Sequence, residues 1–116
     1  MPVHLVSHPL VQDALVDLRD YRTASELFRR AARRISVLLA AEALRDLPTR
    51  AMTVETPIGP AAVRQIAQDV VVVPVLRAGL GMLESVLDLV PRARVGHIGL
   101  QRDEMKIGRA SCRERV

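Results

Sequence analysis

The strongest constraint on the fold is a run of β-branched residues, Val70 to Val75, interrupted only by Pro74 and followed at once by Arg77-Ala78-Gly79-Leu80-Gly81. Such a run suits a strand buried on both faces of a parallel sheet. After the glycines, Met82, Leu83, Val86, Leu87 and Val90 recur at helical spacing, Pro91 ends that pattern, and Val95 to Leu100 forms a second apolar run. Strand, glycine turn, helix and strand make a right-handed crossover unit. Units of this kind place ligands at the carboxyl ends of their strands.

The residues before this unit supply helices and an arm. Leu10, Ala14, Leu15 and Leu18 predict a short amphipathic helix from Pro9 to Arg19. Thr23 and Glu26 have the spacing of a capping box, and a long helix is expected from Ala24 to Leu44. On its wheel Leu27, Ala31, Ile35, Leu38 and Leu39 share one face, and Arg29, Arg30, Arg33 and Arg34 the other. Met52, Val54 and Thr56 alternate as a half-exposed strand, and Pro57-Ile58-Gly59-Pro60 turns the chain toward a partner around Ala62 to Ile66. Flanking prolines keep this hairpin out of a central sheet.

Charge separates the body from the tail. In residues 106–116, Lys106, Arg109, Arg113 and Arg115 against Glu114 account for three of the four net positive charges. The body of residues 1–105 is therefore nearly neutral, which gives no electrostatic case for a nucleic-acid partner. The same tail holds the only lysine and the only cysteine, Lys106 and Cys112, and its string resembles a translated sequencing adapter. Two regions are expected: a domain at 1–105 and a non-native tail at 106–116. The arginines at 29–34 leave two readings open, an anion or RNA patch and a solvated or packed helix face. Without Cys112 there is neither a disulfide framework nor a thiol pair for a metal, and His4, His8 and Asp13 interrupt any leader-like apolar start. A cytoplasmic protein with no membrane partner is the expectation.

Chemistry concentrates at the ends of the two strands. Gly79 and Gly81 let backbone approach a ligand, the helix start favours an anion, and Arg77 offers a guanidinium fork suited to phosphate oxygens. Arg102 follows the second strand and should face the same crevice, so the two arginines could clamp one polyanion. Taken alone the Arg77–Gly81 motif does not decide, because many strand-to-helix turns need glycine. His8 is read as a cap or packing residue and His97 as a core or interface residue. No cluster has metal-site spacing.

Several motifs in order resemble one family. His8-Pro9-Leu10-Val11, Phe28-Arg29, Glu55-Thr56-Pro57, Val73 to Met82, and Gly96-His97-Ile98-Gly99-Leu100 followed by Arg102-Asp103 are similar to uracil phosphoribosyltransferases throughout residues 3–104. The resemblance implies the N-terminal part of a type I phosphoribosyltransferase fold, an α/β parallel sheet with flanking helices and a β-hairpin arm. It implies an enzyme of pyrimidine salvage that joins uracil to 5-phosphoribosyl 1-pyrophosphate, giving UMP and pyrophosphate. Arg77 and Arg102 would contact the pyrophosphate, with Ala78, Gly79 and Gly81 as the supporting loop. Mg²⁺ would balance the leaving group's charge, GTP is an expected activator, and a homo-oligomer is expected when full length. The family's acidic loop of type D-P-x-x-A-T-G-G is not in this sequence, so the chain is expected to be an inactive fragment. A non-catalytic homologue that binds RNA, or a helical interaction module using residues 29–34, are the alternative readings.

Overall fold

The computed structural model describes residues 2–102 and 110–113. Three helices, α1 (Pro9–Arg19), α2 (Ser25–Ala43) and α3 (Leu80–Leu89), combine with strands β1 (Thr49–Thr56), β2 (Gly59–Ile66), β3 (Val71–Val72), β4 (Val75–Leu76), β5 (Arg94–Val95), β6 (Ile98–Arg102) and β7 (Ala110–Arg113). The helix expected from Pro9 to Arg19 forms with those bounds. Its N-cap is His8, whose Nδ1 accepts the Leu10 N–H at 3.1 Å, so the capping reading of that histidine holds.

The capping box of the second helix does not form. Ala24 is its N-cap, without a side-chain hydrogen bond. The cause lies just upstream, where Asp20 organises its own turn. Asp20 Oδ1 accepts the Arg22 N–H at 2.9 Å and its carbonyl accepts the Thr23 N–H at 3.1 Å. Thr23 therefore has no free backbone donor for Glu26 to satisfy, and Glu26 instead accepts from Arg30 at 3.1 Å.

α2 packs against α1 on one side and α3 on another. Its buried residues are Ala31, Ser36 and Ala40. Ser36 and Ala40 lie roughly 140–180° around the helix from Ala31 at 3.6 residues per turn, as two flanking partners require. All three are small, and Val11 and Ala14 of α1 and Ser85 of α3 are the other buried helical positions. The Ser36 hydroxyl donates to the Ala32 carbonyl at 2.8 Å, so its burial leaves no polar atom unmatched. The stripe expected to form the core is only partly covered, with Leu27 47% and Leu39 38% exposed. Packing is decided here by which residues let backbones approach, and the larger side chains stay at the margins.

The hairpin forms as a separate two-stranded antiparallel sheet, Thr49 opposite Ile66 through Thr56 opposite Gly59. Pro57 and Ile58 make the turn, and Gly59 has φ +126°, a conformation that L side chains rarely adopt. Both strands are longer than their alternation suggested. The arm's length comes from eight continuous cross-strand pairs, and no packing against the helices is required.

The valine run is two short strands. Val71 and Val72 pair in parallel with Arg94 and Val95, and Val75 and Leu76 with Ile98 and Gly99, at one constant offset. This is a single parallel pairing broken at Val73-Pro74 and Gly96-His97, because proline has no N–H to donate. Bonds span the break: Gly96 N–H to Val72 O at 3.0 Å and Ile98 N–H to Pro74 O at 3.2 Å. Burial on both faces is not observed, since Val71 is 59% and Val75 42% exposed. A sheet this narrow has no second layer of the described chain to cover both sides. The whole chain exposes 10142 Å², against about 6,300 Å² for a compact monomer of its mass by area scaling.

The turn at Asp20 supplies a test. Hydrogen bonds from the Arg22 side chain, and then from the Arg22 backbone, hold the Asp20 carboxyl below the ordinary aspartate value. The turn's contribution is therefore complete above the ordinary value and fades only as pH falls through the lowered one. In ¹³C NMR titrations Asp20 should titrate below an unperturbed aspartate, and Arg22→Ala, which removes the side-chain bonds and keeps the backbone one, should raise it part of the way toward the ordinary range.

Candidate pyrophosphate site

β4 and β6 are parallel neighbours, and the chain leaves β4 directly into the Arg77 turn. Arg77 therefore sits at the carboxyl end of its strand, and its side chain is exposed. Leu76 lies opposite Gly99, so Arg102 stands a few residues beyond Arg77 at the same end of the pair. The backbone brings the two positions to one edge. The Arg102 side chain and Asp103 lie outside the described residues. β7 pairs with β6 in antiparallel register, Arg102 opposite Ala110, which puts part of the 106–116 tail beside this edge.

The turn itself is tightly wound. Gly79 N–H donates to Val75 O at 2.8 Å, Leu80 N–H to Arg77 O at 3.1 Å, Gly81 N–H to Ala78 O at 3.1 Å and Met82 N–H to Gly79 O at 3.2 Å. Helix-start donors expected to face an anion are thus engaged by the turn's own carbonyls. The amides of Arg77 and Ala78 have no hydrogen-bond acceptor among the described residues. They stand on either side of the Arg77 Cα, and the Leu76–Arg77 peptide bond is cis. Arg77 also has no acidic partner among the described residues, whereas Arg30, Arg33 and Arg34 pair with Glu26, Glu84 and Asp13. Two amides without an acceptor among the described residues, beside an always-charged guanidinium, are an arrangement suited to an anion. Sequence reasoning found Arg77 and missed the amides, because which N–H groups a turn consumes depends on its backbone path.

The two glycines differ. Gly81 has nothing within 4 Å of where a side chain would begin, so that side of the loop is open, while the corresponding side of Gly79 is turned to β4. Ala78 is exposed on the turn, and His97 is exposed at the break between β5 and β6. The arginines of α2 join helices: Arg34 reaches Asp13 of α1 at 2.9 Å and Arg33 reaches Glu84 of α3 at 3.2 Å. A separate cleft of about 420 Å³, lined by Arg50, Gln65, Val70, Val90 and Arg92 among others, lies where the parallel strands begin, at the end opposite Arg77.

For Mg²⁺ the loop offers no ligand set. Val75 to Gly81 carries no carboxylate, imidazole or hydroxyl. Among the described residues no three His, Cys, Asp or Glu side chains gather to hold a metal.

With this geometry the relatives can be read. The family model described as uracil phosphoribosyltransferase matches residues 5–114. The chain belongs to the uracil phosphoribosyltransferase family. It is 53% identical over 104 residues to a uracil phosphoribosyltransferase of Thermus thermophilus, covering 89% of this chain and 50% of that one. It is 47% identical over 102 residues to that of Shouchella clausii, covering 87% and 49%. Among solved structures, the AQ2163 protein from Aquifex aeolicus superposes with a TM-score of 0.83 at 33% identity, over 94% of this chain and 52% of that one. The chain spans about half the length of the curated relatives it matches. The α/β class and type I phosphoribosyltransferase fold expected from the motifs are those of the family, with the parallel strands, flanking helices and hairpin arm all present. No described helix is long and apolar enough to cross a membrane.

Gly81→Ala tests the open side of the loop. The methyl meets nothing, and replacing glycine within a helix stabilises by roughly 0.5–1 kcal/mol. The ligand-free variant should melt a few degrees higher than the parent by circular dichroism.

Proposed function

We propose that this chain carries the pyrophosphate-binding half of a uracil phosphoribosyltransferase. The observation that carries the reading is the Arg77 turn, where a guanidinium and the Arg77 and Ala78 amides have no partner among the described residues, at the carboxyl edge of the parallel strands in a chain of this family. In the reaction, uracil N1 bonds to ribose C1′ while the C1′–oxygen bond to pyrophosphate breaks. The leaving group takes the electron pair, and the N1 proton passes to solvent. Positive charge grows on the sugar and negative charge on the departing oxygens. Fixed donors aimed at those oxygens lower the barrier without a protein nucleophile. Arg77 and the amides of Arg77 and Ala78 would hold the pyrophosphate, with Arg102 closing on it from β6. Mg²⁺, when bound, would neutralise part of the pyrophosphate charge. The residues described here do not hold it, and the binding step assigned to them does not pass through it.

The alternative of an RNA-binding surface on α2 gains no support, since three of its four arginines are already ion-paired within the chain. The motif D-P-x-x-A-T-G-G is missing from the sequence, so we place UMP formation in a polypeptide that also carries that loop.

Two measurements follow. Calorimetric titration of the chain with 5-phosphoribosyl 1-pyrophosphate should show binding that Arg77→Ala weakens by about 10- to 100-fold, as loss of charge-assisted hydrogen bonds implies. Equal binding by both proteins would remove the assignment. Purified chain supplied with uracil and 5-phosphoribosyl 1-pyrophosphate should release no UMP above a protein-free control.

A further inference from the structure

Gly79 has an ordinary helical backbone, φ −61° and ψ −21°. Any residue could adopt it, so conformational freedom does not explain the glycine. Space does. A side-chain carbon at this position would stand 2.6 Å from the Val75 carbonyl oxygen, 2.7 Å from the Val75 nitrogen and 3.3 Å from the Pro74 carbonyl carbon. All three neighbours are backbone, and ordinary contact begins only at 3.4 Å. Nor can that backbone retreat easily. Val75 is paired with Ile98 in the parallel ladder, and Pro74 O accepts the Ile98 N–H at 3.2 Å.

The turn must therefore be the part that moves. Gly79 N–H donates to Val75 O at 2.8 Å, which closes the turn onto the strand it has just left. Inside that closed turn lie Arg77 and Ala78, whose amides have no acceptor among the described residues. We propose that Gly79 is a positioning residue for pyrophosphate binding: its bare Cα lets the turn seat against Val75, and that seating fixes the Arg77 guanidinium and the two amides. This rests on the function proposed above and adds a residue that itself need not touch the ligand. A methyl at 79 must lift the turn by a substantial fraction of an ångström, and displacements near 1 Å can cost ~100-fold where several donors converge.

The test compares four forms of the 116-residue chain: wild type, Arg77→Ala, Gly79→Ala and Ala14→Leu. Ala14 is fully buried between α1 and α2, so Ala14→Leu overpacks a site away from the loop and serves as a destabilised control. Each is titrated calorimetrically with 5-phosphoribosyl 1-pyrophosphate, its melting is followed by circular dichroism, and ¹⁵N–¹H spectra are recorded. Gly79→Ala should keep a cooperative transition, bind about 10- to 100-fold more weakly, and shift the Arg77 and Ala78 amide resonances. Ala14→Leu should lose comparable stability and bind as wild type. If Arg77→Ala weakens binding while Gly79→Ala binds as wild type, the positioning role is overturned and the proposed function stands. Loss of the cooperative transition in Gly79→Ala would assign the glycine to folding and overturn the role as well. Wild type and Arg77→Ala binding alike would instead sink the proposed function, and this inference with it.

Discussion

The parallel ladder joining residues 71–76 to residues 94–99 holds everything else in place. Its offset stays constant across the Val73-Pro74 break, and two backbone hydrogen bonds carry it over the gap. Because that register is fixed, the point where the chain leaves β4 is fixed too. The turn that follows closes onto the strand at the Val75 carbonyl and then winds on the carbonyls of Arg77, Ala78 and Gly79. Closing there consumes the donors of Gly79 through Met82 and leaves those of Arg77 and Ala78 available among the described residues. The anion site we propose rests on that backbone accounting, with one arginine adding charge.

The helical layer works by close approach. Ala14, Ala31, Ser36, Ala40 and Ser85 are the small residues buried in the three helices, and ion pairs from Arg33 and Arg34 tie α2 to its two neighbours. Those pairs are exposed and contribute little stability individually. Their consequence is for function, because they occupy cations that a basic composition would have offered to a polyanion. Large apolar residues remain uncovered on the sheet and arm, with Val71, Met52 and Val63 among them.

Element types were legible because each rests on local chemistry. Proline after a histidine cap started α1, Pro91 closed the region after α3, and prolines isolated the arm. Local spacing misled where a competing local bond existed. Thr23 and Glu26 matched a capping box, yet Asp20 had already taken the Thr23 amide. Helical periodicity likewise marked Leu27 and Leu39 for the core, although contact with two flanking helices selected alanine and serine.

For the site, the sequence alone determined the residue types and their order: a β-branched run, an arginine, a glycine turn and a helix, enough to name an anion and to resemble the family. Charge and chain direction are written in the residues, so Arg77 could be found without coordinates. Only the tertiary structure decided which amides stay free, which glycine is pressed against backbone and which faces open space, and which arginines are spent on neighbouring helices. The ion pairs depend on distances between residues far apart along the chain, and the amides and the crowded glycine on the exact backbone path of a turn closing on its own strand, neither of which residue types alone fix.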